Sequence, residues 1–293
     1  MQVRPGTRWR VLASLSVPLA LTGALALMGR GPAQPARTAV VAAPGPRGVF
    51  RVRYGPASGG EMRAWRKRLR TDRVLERAAE RLNAFVRLPA DVVLAFDECG
   101  EDDAYYERGR VTFCYEEVAD YADLLGPGAT LTEVETRRVE GAASFFLYHE
   151  AGHALVDVLD LPVTGKEEDA VDQFAVYFLA EGGPPETRGD ALRAADVLGR
   201  LARAEAGRKG PLPVWDVHSL DAQREANLLC WVYGADPRGF RQAVHRAGLP
   251  DERRSSCEDE YALLAGSWEA LLSPYLKAPA DTSATQDAGP PHR

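Results

Sequence analysis

Histidine and cysteine are scarce in this chain, with five histidines and four cysteines among 293 residues. None of the cysteines, Cys99, Cys114, Cys230 and Cys257, stands in a CxxC pair, which excludes the usual cysteine zinc site. Residues 1–37 have no aspartate or glutamate, no cysteine that could accept a lipid, and no paired arginines ahead of the apolar run from Val11 to Met28. Sec-type export therefore fits better than twin-arginine export or a lipoprotein. With Arg4, Arg8, Arg10, Arg30 and Arg37 around it, the run has the charge and order of an export signal. It reads either as a signal peptide within residues 1–30 that is cleaved on export or as an N-terminal membrane anchor of just spanning length. Pro18 and the small residues after Met28 favour cleavage.

No sequence repeat is visible, and basic character is confined to short stretches. Removing the five arginines of residues 1–37 from a chain of net charge −6 leaves −11, which argues against a nucleic-acid partner. The one basic run, Arg63 to Arg73, reads as a solvated helix face or linker. Any membrane contact is expected to run through the N-terminal anchor alone. In an exported chain four cysteines predict two disulfides. Three pairings exist, and sequence neighbourhood favours Cys99 with Cys114 and Cys230 with Cys257. Each bond would restrict the unfolded chain by about 3 kcal/mol.

What the chain does contain begins after a Pro, Ala and Gly-rich linker over residues 31–47. Residues 48–277 are expected to form the folded domain, and 278–293 a disordered tail with almost nothing to bury. Residues 49–54, 91–96 and 110–115 alternate or run apolar as strands do, and 73–86 has helical periodicity. A long helix is expected from Leu131, with Thr130 and Glu133 at capping-box spacing, until Pro162 stops it. Further helices are expected at 166–181, 191–206, 220–233, 238–247 and 257–272, the last with Ser255 and Glu258 as a capping box.

The long helix carries HEAGH at 149–153. Residues four apart share a helix face, so His149 and His153 can grip one zinc ion, which accepts neutral imidazole and leaves a catalytic position open when it has three protein ligands. Glu150 is turned about 100° around the helix, where it can serve as general base. Leu159 and Val156 occupy the positions where metzincins carry histidine and glycine, which excludes that class. The acidic stretch KEEDAVD, 166–172, then supplies the third ligand. Glu168 is assigned as ligand, with Glu167 its competitor because helix starts are uncertain by a residue or two. Asp172, four residues on, is assigned to the free N–H of a ligand imidazole. For Glu167 and Asp169 the expected role is to meet the positive end of the helix dipole, and Asp157 is a minor alternative as ligand or brace. His218 is expected in a loop ahead of a helix that Ser219 could cap, either as an oxyanion donor or in a structural hydrogen bond. His245 and His292 read as solvated, and Tyr148 and Tyr177 as packing residues.

HEAGH followed by Glu168 and Asp172 is similar to the gluzincin arrangement of thermolysin-like peptidases. The stretches LNAFVRLPADVVLAFDECG, RVTFCYE, FFLYHEAGHALVDVLDLPVTGKEEDAVDQFA and HSLDAQREANLLCWVYGADP resemble a family of uncharacterised bacterial metallopeptidases. The resemblance covers about residues 48–276 and departs at Asp103, where asparagine is expected. It implies an α+β, zincin-like fold with a small N-terminal β-sheet, a central HExxH helix and a mostly helical C-terminal half. It also implies zinc on His149, His153 and Glu168, catalysis by Glu150, and a peptide or protein substrate. A substrate strand would add to an edge strand near Arg110 to Tyr115. The rival expectation is an exported zinc-binding or adaptor protein that has lost catalysis.

Overall fold

The computed structural model describes residues 48–126, 131–182, 187–207 and 210–277. The apolar run at 11–28, Thr130, the GGPP break after Glu181 except Gly182, and the tail with His292 lie outside them. Among the described residues, no helix is long and apolar enough to cross a membrane.

A four-stranded sheet opens the domain: β1 (Phe50–Tyr54), β2 (Val92–Asp97), β3 (Ala104–Glu107) and β4 (Arg110–Cys114), in the order β1-β2-β4-β3. β2 is parallel to both neighbours, and its Val92, Leu94, Ala95 and Phe96 are buried, as expected for an inner strand covered on its faces. β3 closes the sheet antiparallel to β4. β4 is therefore an inner strand, and the expectation that a substrate could pair along it is overturned, because its hydrogen bonds are taken on both sides. The edges are β1 and β3. Tyr115 is not in the strand either; it starts α3 (Tyr115–Leu125).

Between β1 and β2 run α1 (Gly60–Thr71) and α2 (Val74–Phe85). The basic run thus belongs to a helix, of which only Leu69 is buried. Its charge is partly placed: Arg68 Nε donates to Glu140 Oε1 at 3.1 Å and Arg66 Nε to the Gly55 carbonyl at 2.7 Å. The helix-face reading of the basic run is thus the one that holds, whereas α3 and β3 were not foreseen, because α3 follows β4 without a breaker and β3 (AYYE) is too short and polar to signal a strand.

The centre is α4 (Glu133–Val158), buried on nearly every side in its second half. Its N-cap is Thr132, whose side chain accepts from Glu135 N at 3.2 Å while Glu135 Oε2 accepts from Thr132 N at 2.7 Å. The capping box therefore sits two residues later than the Thr130 and Glu133 expected. α5 (Glu167–Glu181), α6 (Asp190–Ala206), α7 (Asp221–Ala235), α8 (Pro237–Arg246), α9 (Asp251–Arg254) and α10 (Cys257–Leu272) complete the described domain. The second expected capping box does not form: Ser255 Oγ donates to the Glu252 carbonyl at 2.7 Å instead.

Disulfides join Cys99 to Cys114 and Cys230 to Cys257. The first ties the segment after β2 to the end of β4. The second ties α7 to the start of α10, where the helices already touch, since a Cβ on Gly234 would lie 2.1 Å from the Cys257 carbonyl. Two disulfides suggest an extracytoplasmic compartment.

Candidate metal centre

α5 crosses α4 at Gly152, the fourth residue of HEAGH. A Cβ there would meet Val171 at 2.9 Å and Phe174 at 3.1 Å, so glycine lets α5 approach closely enough to bring its first turn to the histidines. Glu168 Oε2 lies 3.2 Å from His149 Nε2 and 3.3 Å from His153 Nε2. His218, brought in by the loop before α7, places its Nε2 2.9 Å from the same oxygen. Three imidazole nitrogens thus converge on one carboxylate oxygen. Glu150 points its Oε1 to 3.8 Å from His149 Nε2, so it borders the same space.

The far nitrogens are also engaged. His149 Nδ1 lies 2.8 Å from Asp172 Oδ1, and His153 Nδ1 lies 2.7 Å from Glu167 Oε1. Sequence reasoning missed the residue behind Asp172. Arg224 of α7 donates through Nε to Oδ2 at 2.8 Å and through Nη2 to Oδ1 at 2.9 Å. It lies 52 residues from Asp172, and the only local sign is a charged residue on a helix turn with buried apolar neighbours. Glu167, expected to meet the helix dipole or compete as ligand, and Asp169, expected only to meet the dipole, have specific partners: Glu167 holds His153, and Asp169 Oδ1 accepts from Ser219 Oγ at 2.8 Å. Ser219 therefore does not cap α7; Leu220 is the N-cap residue.

The His218 loop is held against α5 at further points. Lys166 Nζ donates to the carbonyls of Asp216 and His218, each at 3.2 Å, and Asp216 Oδ1 lies 3.3 Å from His218 Nδ1. Asp157 turns away from the centre and accepts from the Tyr106 hydroxyl of β3 at 2.5 Å. Tyr148 packs on Phe178, Tyr177 on Phe85, and His245 is exposed on α8. Asp103, at the entrance to β3, has its carboxyl raised by partial burial and by Glu101 and Asp102, against the pull of His218.

Burial raises the Glu150 carboxyl, against the pull of His149 and His153. For Glu168, burial would do the same, but hydrogen bonds from His149, His153 and His218 outweigh it and hold the group ionised. Asp172 is also held ionised, since Arg224 and His149 outweigh full burial. Burial would lower His149, yet Asp172 and Glu168 lift it to about 9; His153 is raised through Glu168 and Glu167. In each ring Nδ1 faces a carboxylate of α5 and Nε2 faces Glu168. Two imidazoles and a carboxylate around one point make a donor set that suits zinc, and His149, Glu150 and His153, like His149, Glu168 and His218, offer atoms all within 4.8 Å of one another.

The model of a family described as "Putative metallopeptidase" matches residues 54–272. No curated protein and no solved structure gives a significant match to the chain.

Proposed function

We propose, from the premise that the chain belongs to this metallopeptidase family, that it is an exported, zinc-dependent peptidase with a zincin-like fold and a gluzincin-type centre. The observation that carries the reading is the convergence of His149 Nε2 and His153 Nε2 on Glu168 Oε2, with Glu150 beside them. His149, His153 and Glu168 would hold the ion. Glu167 is the poorer ligand candidate, since its carboxylate is engaged by the other nitrogen of His153. Zinc bound there would supply a Lewis acid that acidifies water and polarises a carbonyl.

Glu150 takes the proton from the attacking water and passes it to the departing amine. Its raised carboxyl suits both halves of that transfer, because general acid–base groups work best with a pKa near the working pH. His218 faces the same space and would donate from Nε2 to the oxyanion that develops on the scissile carbonyl, while Asp216 orients the ring through Nδ1. Asp172 and Arg224 fix the orientation of His149. A peptide substrate would pair with β3, the antiparallel edge strand whose Tyr105 is exposed. The domain is proposed to span 48–277, preceded by a signal peptide or anchor and a linker.

Glu150→Gln should bind zinc like the wild type and cleave denatured casein at least about 10²-fold more slowly. Equal cleavage by the two proteins would remove Glu150 from the mechanism. A zinc-loaded wild type that cleaves neither casein nor a peptide library would favour the non-catalytic zinc-binding alternative.

A further inference from the structure

At the other end of α7 from the metal centre lies a cavity of about 330 Å³ lined by Tyr233, Arg241, Gln242, His245, Arg246 and Arg254. Arg224 and Tyr233 are nine residues apart on α7, about 13 Å along the helix axis. On α8, Arg241 with His245 and Gln242 with Arg246 are i,i+4 pairs, which form two adjacent ridges of donors. Arg254 reaches in from α9; its Nη1 donates to the Leu249 carbonyl at 2.5 Å and its Nη2 pairs with Asp251. No aspartate or glutamate lines the cavity. α8 itself (PRGFRQAVHR) has no acid, and the side chains of Arg241, His245 and Arg246 have no ion-pair or hydrogen-bond partner among the described residues. This occurs on a chain with 42 acidic residues, where Arg51, Arg68, Arg73, Arg110, Arg193 and Arg253 each have an acidic partner.

The guanidiniums of Arg241 and Arg246 stand unneutralised at this one cavity, where an anion would be attracted to both. The cavity is also pre-formed. Tyr233 stands three residues after Cys230 and Arg254 three before Cys257, so the disulfide joining those cysteines fixes two of its walls. A carboxylate has two oxygens to offer. Two unpartnered guanidiniums, an imidazole, an amide and a phenol supply more donors than that, and a phosphoryl group with three or more oxygens matches them better.

We propose that this cavity binds a phosphate-bearing ligand, separately from the metal centre, through Arg241 and Arg246. The ligand is a phosphate ester, either free or as the headgroup of an anionic lipid.

The test uses the full zinc-loaded chain, with inorganic phosphate in titration calorimetry and with vesicles of phosphatidylglycerol in phosphatidylcholine against phosphatidylcholine alone. Arg241→Glu/Arg246→Glu alters two exposed side chains. Lys67→Glu/Arg70→Glu on α1 makes the same change in net charge elsewhere. The wild type and the α1 variant should bind phosphate alike and the α8 variant about tenfold or more weakly. Loss of vesicle binding by the α8 variant alone would assign the ligand to a lipid headgroup; phosphate binding without vesicle binding would assign it to a free ester. The proposal is overturned if the wild type shows no saturable phosphate binding, if the α8 variant binds as tightly, or if the α1 variant weakens as much.

Discussion

His149 and His153 occupy equivalent places in one motif, yet they are held in different ways. His149 is buried, and its Nδ1 meets Asp172, itself buried and gripped by both arms of the Arg224 guanidinium. His153 is less deeply buried, with 15% of its side chain exposed, and its Nδ1 meets Glu167, whose side chain is 46% exposed. The first arrangement is a chain of buried charged groups, in which every member depends on the next. The second is a solvent-facing pair that rearranges at little cost. One histidine is thus anchored to the core and the other to the rim, and a change to either brace separates the two roles.

Asp172→Asn carries the largest expected effect, because it leaves the Arg224 charge buried without its partner. Stability in urea denaturation should fall by about 3–5 kcal/mol and zinc affinity by about 10–100-fold. Arg224→Met should destabilise to a similar degree, while Asp172→Asn/Arg224→Met recovers much of the loss. Additive losses would contradict the picture of a coupled pair.

Gly152→Ala acts on both histidines at once, since the new Cβ pushes against Val171 and Phe174 of α5. Overpacking of this kind costs about 1–3 kcal/mol, and zinc affinity should fall with it. A stable variant with unchanged affinity would mean that the close approach of α4 and α5 does not govern the centre.

How far these features can be read in the sequence follows the distance between partners. HEAGH and the Glu168/Asp172 pair are each local, so helix periodicity alone brings their members to a common face. The same holds for the two disulfides, each closed within 27 residues, and for the helices with clear apolar stripes. Arg224 was not legible, because its meaning comes from the packing of α7 against α5. The roles of Glu167 and Asp169 were hidden for another reason: acids in a first helical turn are explained by the dipole, so nothing local marks those that also hold a histidine or a serine. The inner position of β4 depended on β3, whose four polar-leaning residues give no strand signal.

Glu140, on α4 more than two turns before His149, sharpens what Arg224 does for Asp172. It too is a buried acid, but its guanidinium, that of Arg68, is shared with Asp72 and Glu133. Burial and the Asp72 carboxyl push its pKa up from 4.5 to about 7, whereas Asp172 stays ionised. A carboxyl raised on folding contributes stability that is complete below about 4.5 and is lost as pH rises through about 7. Glu140→Gln should therefore flatten the fall in stability between those pH values and be the more stable protein at pH 8, by up to about 2 kcal/mol. An unchanged slope would show that Glu140 is ionised throughout.

Glu167→Gln has the smallest expected effect, below about 1 kcal/mol in stability, with zinc affinity changed less than for Asp172→Asn. Equal losses for the two variants would erase the distinction between core and rim.

The most direct measurement of the central claim is X-ray absorption at the zinc edge on the loaded wild-type protein and on Glu168→Ala. The account predicts about one zinc per chain with two imidazole nitrogens and oxygen donors in the wild type, and one fewer protein oxygen with weaker binding in Glu168→Ala. A third imidazole in the wild type, or identical spectra and affinities for the two proteins, would contradict it by making His218 or Glu167 the ligand in place of Glu168.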